Sequence, residues 1–147
     1  MSTYLSLHYH LVFSTKRREP LIAEAWITRL HEYLGGTVKG LGGFPQGVGG
    51  IADHVHLLVG LKATHCLSDF MRELKKGSSM WIHDTIGEKD FSWQDGYAAF
   101  TVSATARNSV NAYIASLEEH HRIKSFREEL IEMLERAGIE YDPKYLD

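Results

Sequence analysis

Residues 4–14 alternate. Leu5, Leu7, Tyr9, Leu11 and Phe13 form one apolar set, and Ser6, His8, His10 and Ser14 fall in the other. That period of two predicts a half-buried strand over Tyr4–Ser14. The strand runs into Thr15-Lys16-Arg17-Arg18-Glu19-Pro20, a basic loop closed by proline. From Ala23 to Leu41 the period becomes helical, with Trp26, Ile27, Leu30, Tyr33, Leu34 and Val38 on one face and glycines 40, 42 and 43 at the end. Phe44–Ile51 reads as a second strand, weakened by Gly47, Gly49 and Gly50, and Asp53 turns the chain into a third, His54–Leu61. Thr64–Ile86 carries a second helical face (Leu67, Phe70, Met71, Leu74, Met80, Trp81, Ile82), with Thr64 or Ser68 as cap and Gly77-Ser78-Ser79 as an interruption. Gln94-Asp95-Gly96 predicts a turn into a fourth strand, Tyr97–Val102. A third helix, capped by Ser103 or Thr105, is expected to reach about His121, and a last one covers Ser125–Ala137 before Gly138.

The order β-α-β-β-α-β followed by helices is the ferredoxin-like, or RRM-like, split βαβ pattern. It predicts an α+β fold: an antiparallel sheet with two helices on one face and additional C-terminal helices, about 105–137. No linker or repeat divides the 147 residues, so one domain is expected over 1–147. The first and third strands are expected as central neighbours. His8 and His10 would then share the other sheet face with His54 and His56.

Composition narrows the classes. Apolar residues make up 44% and charged residues 24%, as in a globular chain. No apolar run approaches the roughly 20 residues of a membrane span, so no membrane partner is expected. The single Cys66 excludes an internal disulfide framework, and with no signal-peptide pattern it fits a reducing cytoplasm. The net charge of −3 argues against whole-surface duplex binding. Yet residues 1–117 hold 11 Lys/Arg against 10 Asp/Glu, and residues 118–147 hold 5 against 9. The acidity lies in the tail and leaves room for a basic patch elsewhere.

The chemistry centres on His54-Val55-His56. Alternate strand residues share a face, so both imidazoles project together and can grip a divalent metal. An ordinary polar strand face is the plain alternative, and it applies equally to His8/His10. Lys16, Arg17 and Arg18 at a strand end, and Lys75 and Lys76 on the second helix, suit either solvent or DNA phosphates. Trp93 and Tyr97 suit base stacking or core packing.

The string Gly50-Ile51-Ala52-Asp53-His54-Val55-His56 resembles the HUH motif of the single-tyrosine transposases of the IS200/IS605 group. Four further blocks are similar to that family in the same order. They are Tyr9–Pro20, Glu73–Ser79 with Trp81-Ile82, Trp93–Tyr97 with Phe100–Ser103, and Val110–Ile114 with Glu118–His121. The C-terminal Phe126-Arg127-Glu128-Glu129-Leu130 also fits.

The resemblance implies a DNA transposase that cuts and rejoins single-stranded DNA at element-end hairpins. Tyr113 would be the nucleophile, forming a 5′-phosphotyrosine link. His54 and His56 would hold Mg²⁺ or Mn²⁺, and Lys16, Arg17, Arg18, Lys75, Lys76 and His10 would face DNA. It also implies a homodimer, in which the tyrosine helix is often donated to the partner's histidines. The glycine-rich second strand is a candidate edge for such pairing. In one respect the chain departs from the family: four residues after the tyrosine, where a glutamine usually completes the metal site, stands Leu117. Tyr113 and Leu117 share a helix face, so the geometry suits a ligand and the ligand is missing. Glu118, His120 or His121 are then the candidate third ligands. The same departure motivates a rival, a degenerate or domesticated copy that binds DNA hairpins with little or no catalysis. An RNA-binding module would need aromatics on the open face of the central strands, where this chain has histidines.

Overall fold

The computed structural model describes residues 1–121 and 123–146. Four strands, β1 (His8–Ser14), β2 (Phe44–Ile51), β3 (His54–Gly60) and β4 (Ala98–Val102), form one antiparallel sheet in the order β2-β3-β1-β4. The central pair is the expected one. On one face lie α1 (Glu24–Gly40) and α2 (Leu67–Trp81). Leu11 and Phe13 of β1 and Val55, Leu57 and Val59 of β3 meet Leu30, Leu34, Val38, Met71 and Leu74 there, all at 2% exposure or less. This is the main core. Truncating any of these leucines costs about 2–5 kcal/mol.

The second face is also covered. It carries α3 (Arg107–Ala115), α4 (Leu117–His120) and α5 (Phe126–Arg136). Every residue of β3 is buried, because helices lie on both sides of it. Leu58, Val102, Ile114 and Leu117 make a smaller apolar cluster on this second face.

Several boundaries differ from the sequence reading, each for a local reason. β1 begins at His8, not Tyr4, because both its partners end there: His8 stands opposite Gly60 and Val102. Tyr4 and Leu5 are exposed. No side chain caps α2, which starts after Cys66 instead of at Thr64 or Ser68. Gly77-Ser78-Ser79 does not interrupt it. The buried Ser78 hydroxyl donates to the Leu74 carbonyl and accepts from the Trp93 indole N–H, so it serves the packing of Trp93. A π turn over Ile82–Ile86 then ends the helix at Gly87, whose φ of 91° is left-handed.

The most consequential difference is at Ser116. The expected third helix breaks there (φ −106°, ψ 15°), and the Ser116 hydroxyl donates to the Tyr113 carbonyl. Leu117 therefore does not continue the turn that carries Tyr113.

Candidate active site

β3 presents His54 and His56 to the second face, and neither has any exposed surface. Across the ladder they stand opposite Ser14 and Val12 of β1, and opposite Ile51 and Gly49 of β2. His10 lies two pairs further along β1, opposite Leu58. The expected sharing of a face by His10, His54 and His56 is what the register produces.

Both metal-candidate rings are anchored through Nδ1. His54 Nδ1–H donates to Asp53 Oδ1 at 2.6 Å. His56 Nδ1 lies 2.7 Å from His10 Nε2. Their Nε2 atoms converge on one carboxylate, Glu129 of α5. His56 Nε2 is 2.9 Å from Glu129 Oε1, and His54 Nε2 is 3.4 Å from the same oxygen. The other oxygen, Oε2, accepts from the Tyr113 phenol and lies 3.1 Å from His121 Nε2. Glu129 is thus a hub for three imidazoles and a phenol.

The electrostatics follow. Burial opposes ionisation of Glu129, but hydrogen bonds from His121, His54 and His56 outweigh it and hold the carboxyl far below its ordinary range. Burial likewise opposes a charge on His54, but Asp53 and Glu129 raise its pKa overall. For His56 burial wins over Glu129, and the pKa falls. Burial and repulsion from His56 push His10 down to about 3, so its ring is neutral. In this arrangement His56 Nε2–H donates to Glu129, and its Nδ1 accepts from His10. Burial, then the Glu129 carboxylate, raises the Tyr113 phenol well above its ordinary pKa of 10. The phenol is held as a proton donor.

A divalent cation fits these residues. His54 Nε2 is buried, and among the described residues it makes no close hydrogen bond: Glu129 Oε1, at 3.4 Å, is the polar atom it faces. The ligand atoms of His54, His121 and Glu129 lie within 4.8 Å of one another, and His56 reaches the same carboxylate. Asp53 and His10 occupy the outer nitrogens, as partners of metal-bound histidines do. Imidazoles with one carboxylate suit a transition ion such as Mn²⁺ better than Mg²⁺, which prefers oxygen.

The sequence-predicted residues divide on this geometry. Tyr113, His54, His56 and His121 are brought together. Glu118 is exposed and, with His121, lines a groove against α1; it is not in the cluster. The side chain of His120 lies outside the described residues. Leu117 is 1% exposed and packs on Leu58, Val102 and Ile114, so its position is core. His10 is 8% exposed, packs against His56, Phe100 and Tyr113, and lines a cavity with Tyr113 and Glu129, so it supports the site. Lys16 and Arg17 are exposed on the loop that follows Ser14, at the His54 end of the sheet. Hydrogen bonds from Lys16 N to Ser92 O and from Arg17 N to Gln94 Oε1 fix that loop, with Arg17 and Arg18 at φ of 56° and 55°. Lys75 is half-buried, and its ammonium donates to the carbonyls of Gln94 and Gly96 at 2.7 and 2.8 Å. Lys76 is exposed. Trp93 is core, packed edge-on against Phe13 and Phe91.

Glu129 and Asp53 contact these side chains without being singled out by the sequence. Asp53 read as a turn former. Glu129 lies 73 positions from His56 in an acidic helix, where only the fold singles it out.

The sequence matches the family described as "Transposase IS200 like" over residues 3–117. No curated protein matches. Among solved structures, the chain is similar to a crystal structure of a putative transposase from Deinococcus radiodurans R1. The identity is 24%, over 79% of this chain and 95% of that one, with a TM-score of 0.65. It is also similar to a REP-associated tyrosine transposase bound to a REP hairpin. There the identity is 16%, over 82% of this chain and 74% of that one, with a TM-score of 0.60. At such identities these two structures establish a shared fold.

Proposed function

The chain belongs to the IS200-like transposase family, and from that premise we propose that it is a metal-dependent nickase and strand transferase for single-stranded DNA, with Tyr113 as nucleophile. The observation that carries this reading is the division of labour on Glu129. One oxygen faces the Nε2 atoms of His54 and His56, and the other receives the Tyr113 hydroxyl. A nucleophile, a proton acceptor and a donor set for a cation thus occupy one buried cluster.

A tyrosine must lose its proton to attack phosphorus, and the Tyr113 hydroxyl donates to Glu129 Oε2, the carboxylate oxygen within reach of that proton. In the proposed step the phenol oxygen bonds to the scissile phosphorus and its proton passes to Glu129 Oε2. The P–O3′ bond breaks, and the leaving 3′-oxygen takes up the proton that Glu129 releases. The products are a 5′-phosphotyrosine link and a free 3′-hydroxyl. No water is consumed, so a second 3′-hydroxyl can reverse the step and join a new end. Mn²⁺ or Mg²⁺ held by His54, His56 and Glu129, with His121 beside them, would polarise the phosphate and offset developing charge. Asp53 and His10 keep the two rings aimed. Lys16, Arg17 and Lys76 are the exposed cations offered to DNA phosphates. A hairpin end as substrate, and a cytoplasmic setting, remain part of the proposal by family likeness. Among the described residues no helix is long and apolar enough to cross a membrane.

The homodimer also stays within the proposal, in a form where each protomer keeps its own tyrosine. Tyr113 reaches Glu129 and His56 of the same chain, its ring centroid 5.9 Å from that of His56.

The test is direct. The protein is mixed with Mn²⁺ and single-stranded DNA from the regions flanking its own gene, and covalent adducts are sought on denaturing gels. The expected result is an adduct that disappears in Tyr113→Phe. Hairpin binding without any adduct would establish the non-catalytic rival. An adduct that persists in Tyr113→Phe would overturn the choice of nucleophile.

A further inference from the structure

Gly47 and Gly49 lie on one face of β2, the face that α3 covers. A Cβ on Gly49 would stand 2.6 Å from the Ile114 carbonyl oxygen and 2.8 Å from Ile114 Cγ2. A Cβ on Gly47 would overlap the Asn111 side-chain oxygen. Asn111 in turn donates from Nδ2 to the Gln46 carbonyl at 3.0 Å. Two contact points, Asn111 and Ile114, therefore seat the helix on the strand, and Tyr113 lies between them in sequence. The ladder adds the link to chemistry: Gly49 is paired with His56. The strand position that admits the tyrosine helix is thus the neighbour of a metal-candidate histidine.

We propose that Gly47 and Gly49 form a saddle that sets the height of the tyrosine helix above the sheet, and so the separation of Tyr113 from the His54–His56–Glu129 cluster. They are positioning residues. A helix laid on a strand with ordinary side chains is held off by their Cβ atoms; bare glycine lets backbone approach backbone. Restoring an ordinary contact at Gly49 needs roughly 1 Å of retreat by Ile114. A misplacement of that size at a reacting group costs on the order of 100-fold in rate. The cation donors lie on β3, α5 and the turn before α5, outside α3, so cation binding is separable from the height of the helix. Asn111 lies against Gly47 through its side chain alone, whereas Ile114 lies against Gly49 through its backbone carbonyl as well as its side chain. The two glycines therefore differ in how they can be rescued.

The catalytic consequence rests on the proposed function, and the docking itself is read without it. Four variants are compared with the parent: Gly49→Ala, Gly47→Ala, and each combined with Asn111→Ala. Hydrogen exchange over residues 107–115 reports the seating of the helix, Mn²⁺ titration reports the donors, and single-turnover adduct formation reports chemistry. Expected for Gly49→Ala is at least 10-fold faster exchange in α3 and adduct formation slowed on the order of 100-fold. The DNA KM and Mn²⁺ affinity should stay within about threefold, and Asn111→Ala should give no recovery. Gly47→Ala, whose clash is with the movable Asn111 amide, should show a smaller loss and recover most of it with Asn111→Ala. Unchanged exchange in Gly49→Ala would overturn the saddle. If Gly49→Ala does not fold, failure of Asn111→Ala to rescue Gly47→Ala would overturn it equally. No adduct from the parent protein, with altered exchange in the variants, would sink the proposed function and leave the seating intact.

Discussion

Tyr113 donates its phenol hydrogen bond to Glu129, sixteen residues further along and on a different helix. The tyrosine and its proton acceptor thus come from separate elements, and the acceptor also closes the histidine cluster. Replacing Glu129 by Gln keeps the shape and removes the charge. A carboxylate oxygen facing two histidine nitrogens becomes an amide, a far weaker donor to a cation. Mn²⁺ affinity, measured by calorimetry, should fall by at least the 10- to 100-fold typical of losing even an outer partner. Adduct formation should fall with it. Unchanged Mn²⁺ affinity in Glu129→Gln would remove Glu129 from the donor set.

Leu117 invites the opposite experiment. By sequence it occupies the place of a missing ligand, so Leu117→Gln looks like a repair. In the structure that side chain is enclosed by Leu58, Val102 and Ile114. A glutamine there buries an amide with no partner, at a cost of about 1–3 kcal/mol beyond the lost apolar contacts. Leu117→Gln should lower the denaturation midpoint without tightening Mn²⁺ binding. Tighter binding would mean that the helix runs unbroken through Ser116 in solution.

These two residues mark how far the sequence could be read. Strand order, the sheet face of His10, His54 and His56, and the helix that carries Tyr113 follow from periodicity and motif, which are local. The third ligand does not. Extrapolating one turn from Tyr113 assumes a continuous helix, and the chain breaks at Ser116. Glu129 sits among Glu128, Glu132 and Glu135, and what separates it from them is burial at 3% exposure. That is a consequence of how α5 docks. Lys75 and His10 have internal partners for a related reason: a polar residue on an exposed-looking position can be spent inside the protein, which no local pattern records.

His10 supports His56, so its removal should be felt through the metal. For His56 to offer the Nε2 lone pair to a cation, its proton must sit on Nδ1, and His10 Nε2, 2.7 Å away, is the acceptor there. His10→Ala leaves that N–H without a partner. The expected effect is a 10- to 100-fold weaker Mn²⁺ affinity with the DNA KM unchanged. His10→Gln, which can still accept, should recover part of the loss. A change in DNA affinity alone would return His10 to the DNA-facing set.

The lysines separate by salt dependence. Contacts to single-stranded phosphates release counterions, and each lost contact reduces the slope of log affinity against log salt by about 0.7. Lys16 and Lys76 are exposed, and Lys16 is carried on the loop beside the site. Lys16→Ala and Lys76→Ala should each flatten the slope by about that amount and leave stability nearly unchanged. Lys75 has another use. Its ammonium ties the carbonyls of Gln94 and Gly96, and Gln94 in turn holds Arg17 through its side chain. Desolvation lowers the Lys75 pKa, as befits a cation folded against the protein. Lys75→Ala should therefore cost about 1–3 kcal/mol of stability from lost charged hydrogen bonds. The salt slope should stay near the parent value. A flattened slope in Lys75→Ala with unaltered stability would show instead that Lys75 leaves its carbonyls and turns to the DNA.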